Sequence, residues 1–299
     1  MNTSRVVSGI AFALSILAAR AECQPGPADS SRVWRESLRA ADVTASAAAF
    51  KRGIGDALPL DMADDAVILW EAMPVISARA GITNILSAQP PLHVSWQPFR
   101  VLVSSDGKFG VTFGATSRLP EASAPPLTAR YISAWRRVAG GWKMVARAEI
   151  GLVTADSVKV PATIIGSVTS EDKSRNPFAA ADIAFAKMAL DSGAPAAFYH
   201  FAAPDAVTLA GTGELNIGPP AIRARLAEGP AGKAKWHWRP VTTIAAPSGD
   251  LGVTIGTAEI EFGSKPDDVF YSKYMTVWKR QPDGSIKFVV DGGSGRPRR

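Results

Sequence analysis

From Asp182 to Ser192 the apolar residues Ile183, Ala186 and Leu190 recur at helical spacing. They predict a helix that Gly193 ends, with Pro195 just beyond as a normal stop. Pro195 to Phe201 suits a second short helix. A strand is expected at 206–209, then a turn and second strand over 211–217, then a helix opened by Pro219 and Pro220 and running through Leu226. Apolar and polar positions then alternate through three longer strands, at about 236–246, 250–262 and 269–280, and a last one at 285–291. Asp283-Gly284 marks a tight hairpin turn between the final pair.

The same pattern occurs earlier in the chain. Ala41 to Leu69 aligns without a gap to Ala181 to Leu209 at an offset of 140, keeping Ala41-Asp42, Gly53, Ala57, Ala63, Asp65-Ala66-Val67 and Leu69. Further on, Trp96-x-Pro98 matches Trp238-x-Pro240, Gly110 to Gly114 matches Gly252 to Gly256, and Tyr131-x-x-x-Trp135 matches Tyr274-x-x-x-Trp278. Colinear matches over this length point to a duplication. Copy one is expected at 31–155, a linker at 156–173, and copy two at 174–293.

Helices leading long antiparallel strands predict an α+β fold, a sheet with its helices on one face. Glycines inside the strands, Gly110 and Gly114 in one copy and Gly252 and Gly256 in the other, call for a bulge or sharp bend. A strongly bent sheet wrapped around helices makes a cone with a hollow.

Composition narrows the setting. The 299 residues are 46% hydrophobic and 20% charged, an ordinary globular balance. Arg5, the uncharged apolar run Val6 to Ala19, and Ala19-Arg20-Ala21 read as a signal peptide over 1–21, cut after Ala21, which implies a periplasmic or secreted protein. The run is too short for a membrane span, so no stable membrane insertion is expected after cleavage. The one cysteine, Cys23, permits no intrachain disulfide, and Glu22 before it argues against lipid attachment. Of the formal charge of +6, Arg5 and Arg20 leave with the signal, and the basic tail at 294–299 holds Arg296, Arg298 and Arg299. The body is therefore close to neutral and offers no nucleic-acid surface.

These features resemble the NTF2-like superfamily, within it the SnoaL-like and DUF4440-type domains. In copy two the signature is Asp182-x-x-Phe185, Asp205-Ala-Val207, Gly218-x-x-Ala221-Ile222, Trp238-x-Pro240, Ser248 to Gly252, Tyr274-x-x-x-Trp278-Lys-Arg280 and Asp283-Gly to Asp291. Copy one keeps Asp42, Asp65-Ala-Val67, Gly81-Ile82, Trp96-x-Pro98, Gly107-x-x-Gly110 and Tyr131-x-x-x-Trp135. The resemblance implies two cone-shaped domains, each a curved antiparallel sheet around its N-terminal helices, and a pair that meets through the sheets inside one monomeric chain. It does not fix a chemistry, because the fold hosts many. Copy one departs where Arg147 faces Asp291, where Lys108 faces Asp250, and in a Pro-rich insert at Leu119 to Leu127.

Nucleophile motifs, phosphate-binding loops and cofactor fingerprints are missing: Gly211-Thr-Gly213 lacks a third glycine and opens no helix. His93, His200 and His237 have no partners at zinc-ligand spacing, so no metal and no cofactor are expected. What remains is acid–base chemistry in an apolar hollow, where desolvation raises a carboxylate into the useful range. Asp291, at the end of the last strand, is the candidate base; the competing reading is a strand-end cap or a surface ion pair. His200, in Phe-Tyr-His-Phe on the second helix, is a candidate acid or base, or else a packing residue. Tyr199, Trp238, Tyr274 and Trp278 in copy two, and Tyr131 and Trp135 in copy one, are candidate ligand-wall residues, and equally candidate core residues. Arg147 is a candidate site for an acidic ligand. Asp65 and Asp205 read as structural turn residues.

Two functions follow. The first is an exported, non-catalytic module that binds a small molecule or serves as a scaffold. The alternative is a small isomerase- or lyase-type enzyme working in copy two through Asp291 and His200.

Overall fold

A computed structural model describes residues 27–88, 92–118, 127–151, 176–209, 214–263, 265 and 268–298. The expected signal peptide and linker, Cys23, Gly211 to Gly213, Arg299 and all of the Pro-rich insert except Leu127 lie outside the described residues.

The first half runs α1 (Pro27–Arg52), α2 (Ile54–Asp61), β1 (Met62–Leu69), β2 (Val75–Ser77), α3 (Arg79–Ser87), β3 (Val94–Val103), β4 (Phe109–Arg118), β5 (Leu127–Val138) and β6 (Gly141–Ile150). The second repeats it: α4 (Pro177–Ser192), α5 (Ala194–Phe201), β7 (Ala202–Thr208), β8 (Asn216–Ile217), α6 (Gly218–Glu228), β9 (Lys235–Ala245), β10 (Leu251–Glu261), β11 (Val269–Arg280) and β12 (Ile286–Gly295). Each half closes one six-stranded sheet, in the orders β2-β1-β6-β5-β4-β3 and β8-β7-β12-β11-β10-β9.

Two details depart from the sequence expectation. The sheets are mixed, because β1 runs parallel to β6 and β7 parallel to β12. α4 also starts earlier than its apolar stripe. Asn176 accepts hydrogen bonds from Phe178 N and Ala179 N, and Pro177 fills the first helical position, where a missing N–H costs nothing.

The interior glycines bend the sheets as expected. The register slips between Pro98 and Arg100 opposite Gly114, and between Ile255 and Gly256 opposite Thr242 and Pro240. A β-carbon at Gly114 or Gly256 would collide with the carbonyl oxygen of Gln97 or Arg239. The strands approach this closely because glycine occupies those positions.

The convex faces of the two sheets pack back to back. Phe109, Val111, Phe113, Ile132 and Ala134 join Val253, Ile255, Met275 and Val277 in one hydrophobic cluster. At one edge of this junction the β3–β4 turn meets the β9–β10 turn reciprocally. Asp250 Oδ2 accepts from Ser105 N at 2.9 Å, and Asp106 Oδ2 accepts from Ser248 N at 3.1 Å. Asp205 pairs with Arg100 of the other half, whereas Asp65 pairs with Arg136 of its own. At the other edge, Glu71 accepts from Gly295 N, and Lys273 Nζ donates to Gly295 O. Lys273 is fully buried, and burial lowers its pKa to about 7 against the opposing pull of Glu71.

Candidate functional site

On the concave face, each half carries the same three-residue anchor between its long helix and its sheet. In the second half Trp238 Nε1 donates to Asp182 Oδ1 at 2.9 Å and Tyr274 Oη to Asp182 Oδ2 at 2.8 Å. In the first, Trp96 Nε1 and Tyr131 Oη donate to Asp42 at 2.9 and 2.5 Å. Both aspartates are buried, and desolvation raises both pKa values, that of Asp182 to about 6. The hydrogen bonds pull the other way, because they stabilise the charged form.

Beside this anchor the halves diverge. Across the second sheet a row of residues in register runs Thr254, Thr276, Asp291, Thr208 and Asn216. The matching row in the first sheet runs Thr112, Ser133, Arg147, Ile68 and Ile76. Arg147 is 3% exposed, donates to Ser133 Oγ at 2.9 Å, and stacks its guanidinium 4.1 Å from the Trp96 ring and 4.5 Å from the Tyr131 ring. Glu149 nearby is buried in an ion pair with Arg118. The Arg147 cation is therefore held internally, against aromatic faces that suit it.

In the second half the equivalent space is a cavity of about 260 Å³. Phe185, Phe198, Trp236, Trp238 and Phe270 give it an aromatic wall. Phe185 centres the packing behind that wall, 4.7 to 5.7 Å from the rings of Phe198, Phe201, Trp238 and Phe288. Thr208, Asn216, Ser272, Tyr274, Thr276 and Asp291 make a polar strip on the sheet side. Thr276 Oγ1 donates to Asp291 Oδ2 at 2.6 Å. No donor among the described residues reaches Asp291 Oδ1. Desolvation pushes the Asp291 pKa up to about 7; the Thr276 hydrogen bond opposes this, and the charge on Asp182 adds to it. A carboxylate with one free oxygen, titrating near neutrality in an apolar hollow, is equipped to take up and return a proton.

No family model matches the chain, and no curated protein matches it. Solved structures match one half at a time. An NTF2-like protein with a cystatin-like fold from Novosphingobium aromaticivorans is 18% identical, with 42% of this chain and 86% of that chain covered at a TM-score of 0.34. An NTF2-like protein from Pseudomonas putida is 14% identical, covering 42% and 92%, TM-score 0.36. A Δ5-3-ketosteroid isomerase from Mycobacterium sp. is 18% identical, covering 40% and 92%, TM-score 0.32. Within the chain itself, the same order of helices and the same order of six strands occur twice. The chain is a tandem of two copies of one α+β fold, each a bent six-stranded sheet led by helices.

Within the second half, Asp291, Trp238 and Tyr274 come together on the cavity wall. Other sequence candidates lie elsewhere. α5 buries Ala194, Ala197 and Phe198, so the next two side chains, Tyr199 and His200, turn outward. His200 is exposed, packs its ring on Phe201 and uses its carbonyl to accept from Lys287, so it is not a cavity acid. Tyr199 is 45% exposed beneath the guanidinium of Arg223. Trp278 and Trp135 are core residues that donate to Thr254 and Thr112. Tyr131 is buried against Asp42. Asp182, Thr208, Asn216 and Arg225 were missed as site residues. Asp182 had a signal: it recurs at the repeat offset together with the tryptophan and tyrosine that bond it. The other three become neighbours only through the parallel pairing and the helix above it.

Among the described residues no group of three His, Cys, Asp or Glu could hold a metal ion, and no helix is long and apolar enough to cross a membrane.

Proposed function

We propose that the second half is an acid–base catalyst of the isomerase or lyase type, acting on a small apolar molecule, and that the first half is its non-catalytic support. One observation carries this reading: Asp291 Oδ1 is free at the wall of an apolar cavity, on a carboxyl whose pKa lies near 7. Such a carboxylate would take a proton from a carbon made acidic by a neighbouring carbonyl. It would then return that proton to another carbon, or leave an adjacent bond to break. Ser272, on the same wall, has a hydroxyl to hold the carbonyl as charge develops on its oxygen. Tyr274 stays protonated, because burial and Asp182 raise its pKa well above the ordinary range.

The first half lacks this equipment. Its strand position equivalent to Asp291 holds a buried cation, which supports the assignment of that half to structure.

The test uses a panel of β,γ-unsaturated and aryl ketones in D₂O, with deuterium uptake followed by NMR. General base catalysis is worth roughly 10²- to 10⁴-fold, so Asp291→Asn is expected to lose at least about a hundredfold in exchange rate. If no member of the panel exchanges faster with the parent than with Asp291→Asn, the catalytic reading fails and the non-catalytic binding module replaces it.

A further inference from the structure

Among the described residues, the cavity wall carries two charged side chains. One is Asp291; the other is Arg225, on α6. No carboxylate among the described residues pairs with Arg225, whereas its neighbour Arg223 stacks on Tyr199. Asn216, on the same wall, reaches Thr208 Oγ1 only at 3.5 Å, which leaves most of its amide capacity unused.

The repeat shows that these groups are peculiar to the second half. At the offset of 140 residues, Thr208, Asn216 and Arg225 correspond to Ile68, Ile76 and Ile85. Those isoleucines are 2%, 1% and 5% exposed and pack in the first half's core. Three positions that the fold fills with isoleucine in one half are therefore a hydroxyl, an amide and a guanidinium in the other. All three line the same cavity. Core packing explains the isoleucines but not the polar set: Thr208 and Asn216 are half-buried and Arg225 is exposed, and all three border the cavity where the first half is filled with side chains.

We infer that the cavity takes a molecule with a flat apolar body and a carboxylate at one end, and that Arg225 holds the carboxylate with Asn216 beside it. This rests on the reading of the cavity as the substrate site. A planar guanidinium with no acidic partner grips a carboxylate through two parallel hydrogen bonds, and an aromatic wall suits the body. The same placement keeps the anionic end on the Arg225 side and leaves the apolar body to approach Asp291, since a carboxylate next to Asp291 would be repelled.

The experiment is isothermal titration of the full chain with 2-naphthylacetate and with its neutral twin, 2-naphthylacetamide. The parent is expected to bind the carboxylate about tenfold or more tightly than the amide, the scale of one charge-assisted hydrogen bond. Arg225→Gln, on an exposed helix position, is expected to remove that preference while still binding the amide. Asn216→Ile, which restores the first half's residue, should weaken it. Asp291→Asn should keep or strengthen it. Equal or weaker binding of the carboxylate by the parent, no measurable binding of either probe, or a preference that survives Arg225→Gln each overturns the inference. Carboxylate preference without Asp291-dependent deuterium exchange leaves this inference standing and removes the catalytic reading; exchange without the preference does the reverse.

Discussion

The Thr276 hydroxyl lies 2.6 Å from Asp291 Oδ2, and among the described residues it is the one side-chain donor that holds the cavity carboxylate. That hydrogen bond favours the charged form and keeps the pKa from rising further under desolvation. Thr276→Val keeps the shape and removes the donor. The Asp291 pKa is expected to move up from about 7, and the acid limb of any pH–rate profile with it. Carbon-detected NMR titration of the Asp291 carboxyl would measure the shift; a downward or absent shift would contradict the assignment.

Stability should depend on pH in two opposing ways. Asp291 and Asp182 have folded pKa values raised to about 7 and about 6, so they contribute stability at low pH that is lost as pH rises from about 4 through those values. Lys273 is lowered to about 7, so the folded state sheds its proton early and gains stability from pH 7 up towards 10.5. The two together place a shallow stability minimum near neutrality. Asp291→Asn should lift the neutral side of the acid arm, by at most about 4 kcal/mol, and Lys273→Met should flatten the alkaline rise. Urea unfolding between pH 4 and pH 10 checks both slopes.

Much of this was legible in the sequence, and what was not has physical causes. The repeat gave both folds, since helical stripes, alternating strands and in-strand glycines recur in the same order in both halves. Asp291 stood out as a lone carboxylate after the apolar run Phe288-Val289-Val290, although it does not end the strand as expected, because β12 continues past it to Gly295. His200 was misjudged because a short helix shows two faces within three residues, and the buried one belonged to Ala197 and Phe198. Thr208 and Asn216 were invisible because their approach to Asp291 depends on a parallel pairing between strands far apart in the chain, which alternation along one strand cannot reveal.

Removing Arg147 should cost the fold and spare the chemistry. Its guanidinium sits buried between Trp96 and Tyr131, and its charge favours the ionised form of Asp42. Arg147→Met is expected to destabilise the chain by about 3 kcal/mol, since buried carboxylates lose a compensating cation. Ligand affinity in the second half should be unchanged. Denaturant unfolding and the naphthyl titration together test this.

Gly256→Ala should damage the site through the backbone. The new methyl would meet both the Arg239 carbonyl and the Tyr274 hydroxyl, which bonds Asp182. An expected loss of about 2 kcal/mol should come with a changed near-ultraviolet signal from Tyr274 and Trp238. Gly284→Ala, where nothing surrounds the new atom but φ is +84°, should cost only about 1 kcal/mol and leave that signal alone.

The bond between Glu71 and Gly295 spans 224 residues of chain. During synthesis, at about 5–20 residues per second, Glu71 emerges roughly 10 to 45 seconds before its partner exists. The earlier half can settle around its own core in that interval, then offer a ready carboxylate to the strand that completes the later one. Reversing the gene order of the halves would take away that waiting template, and would leave the second half to complete its sheet with nothing yet there to dock on.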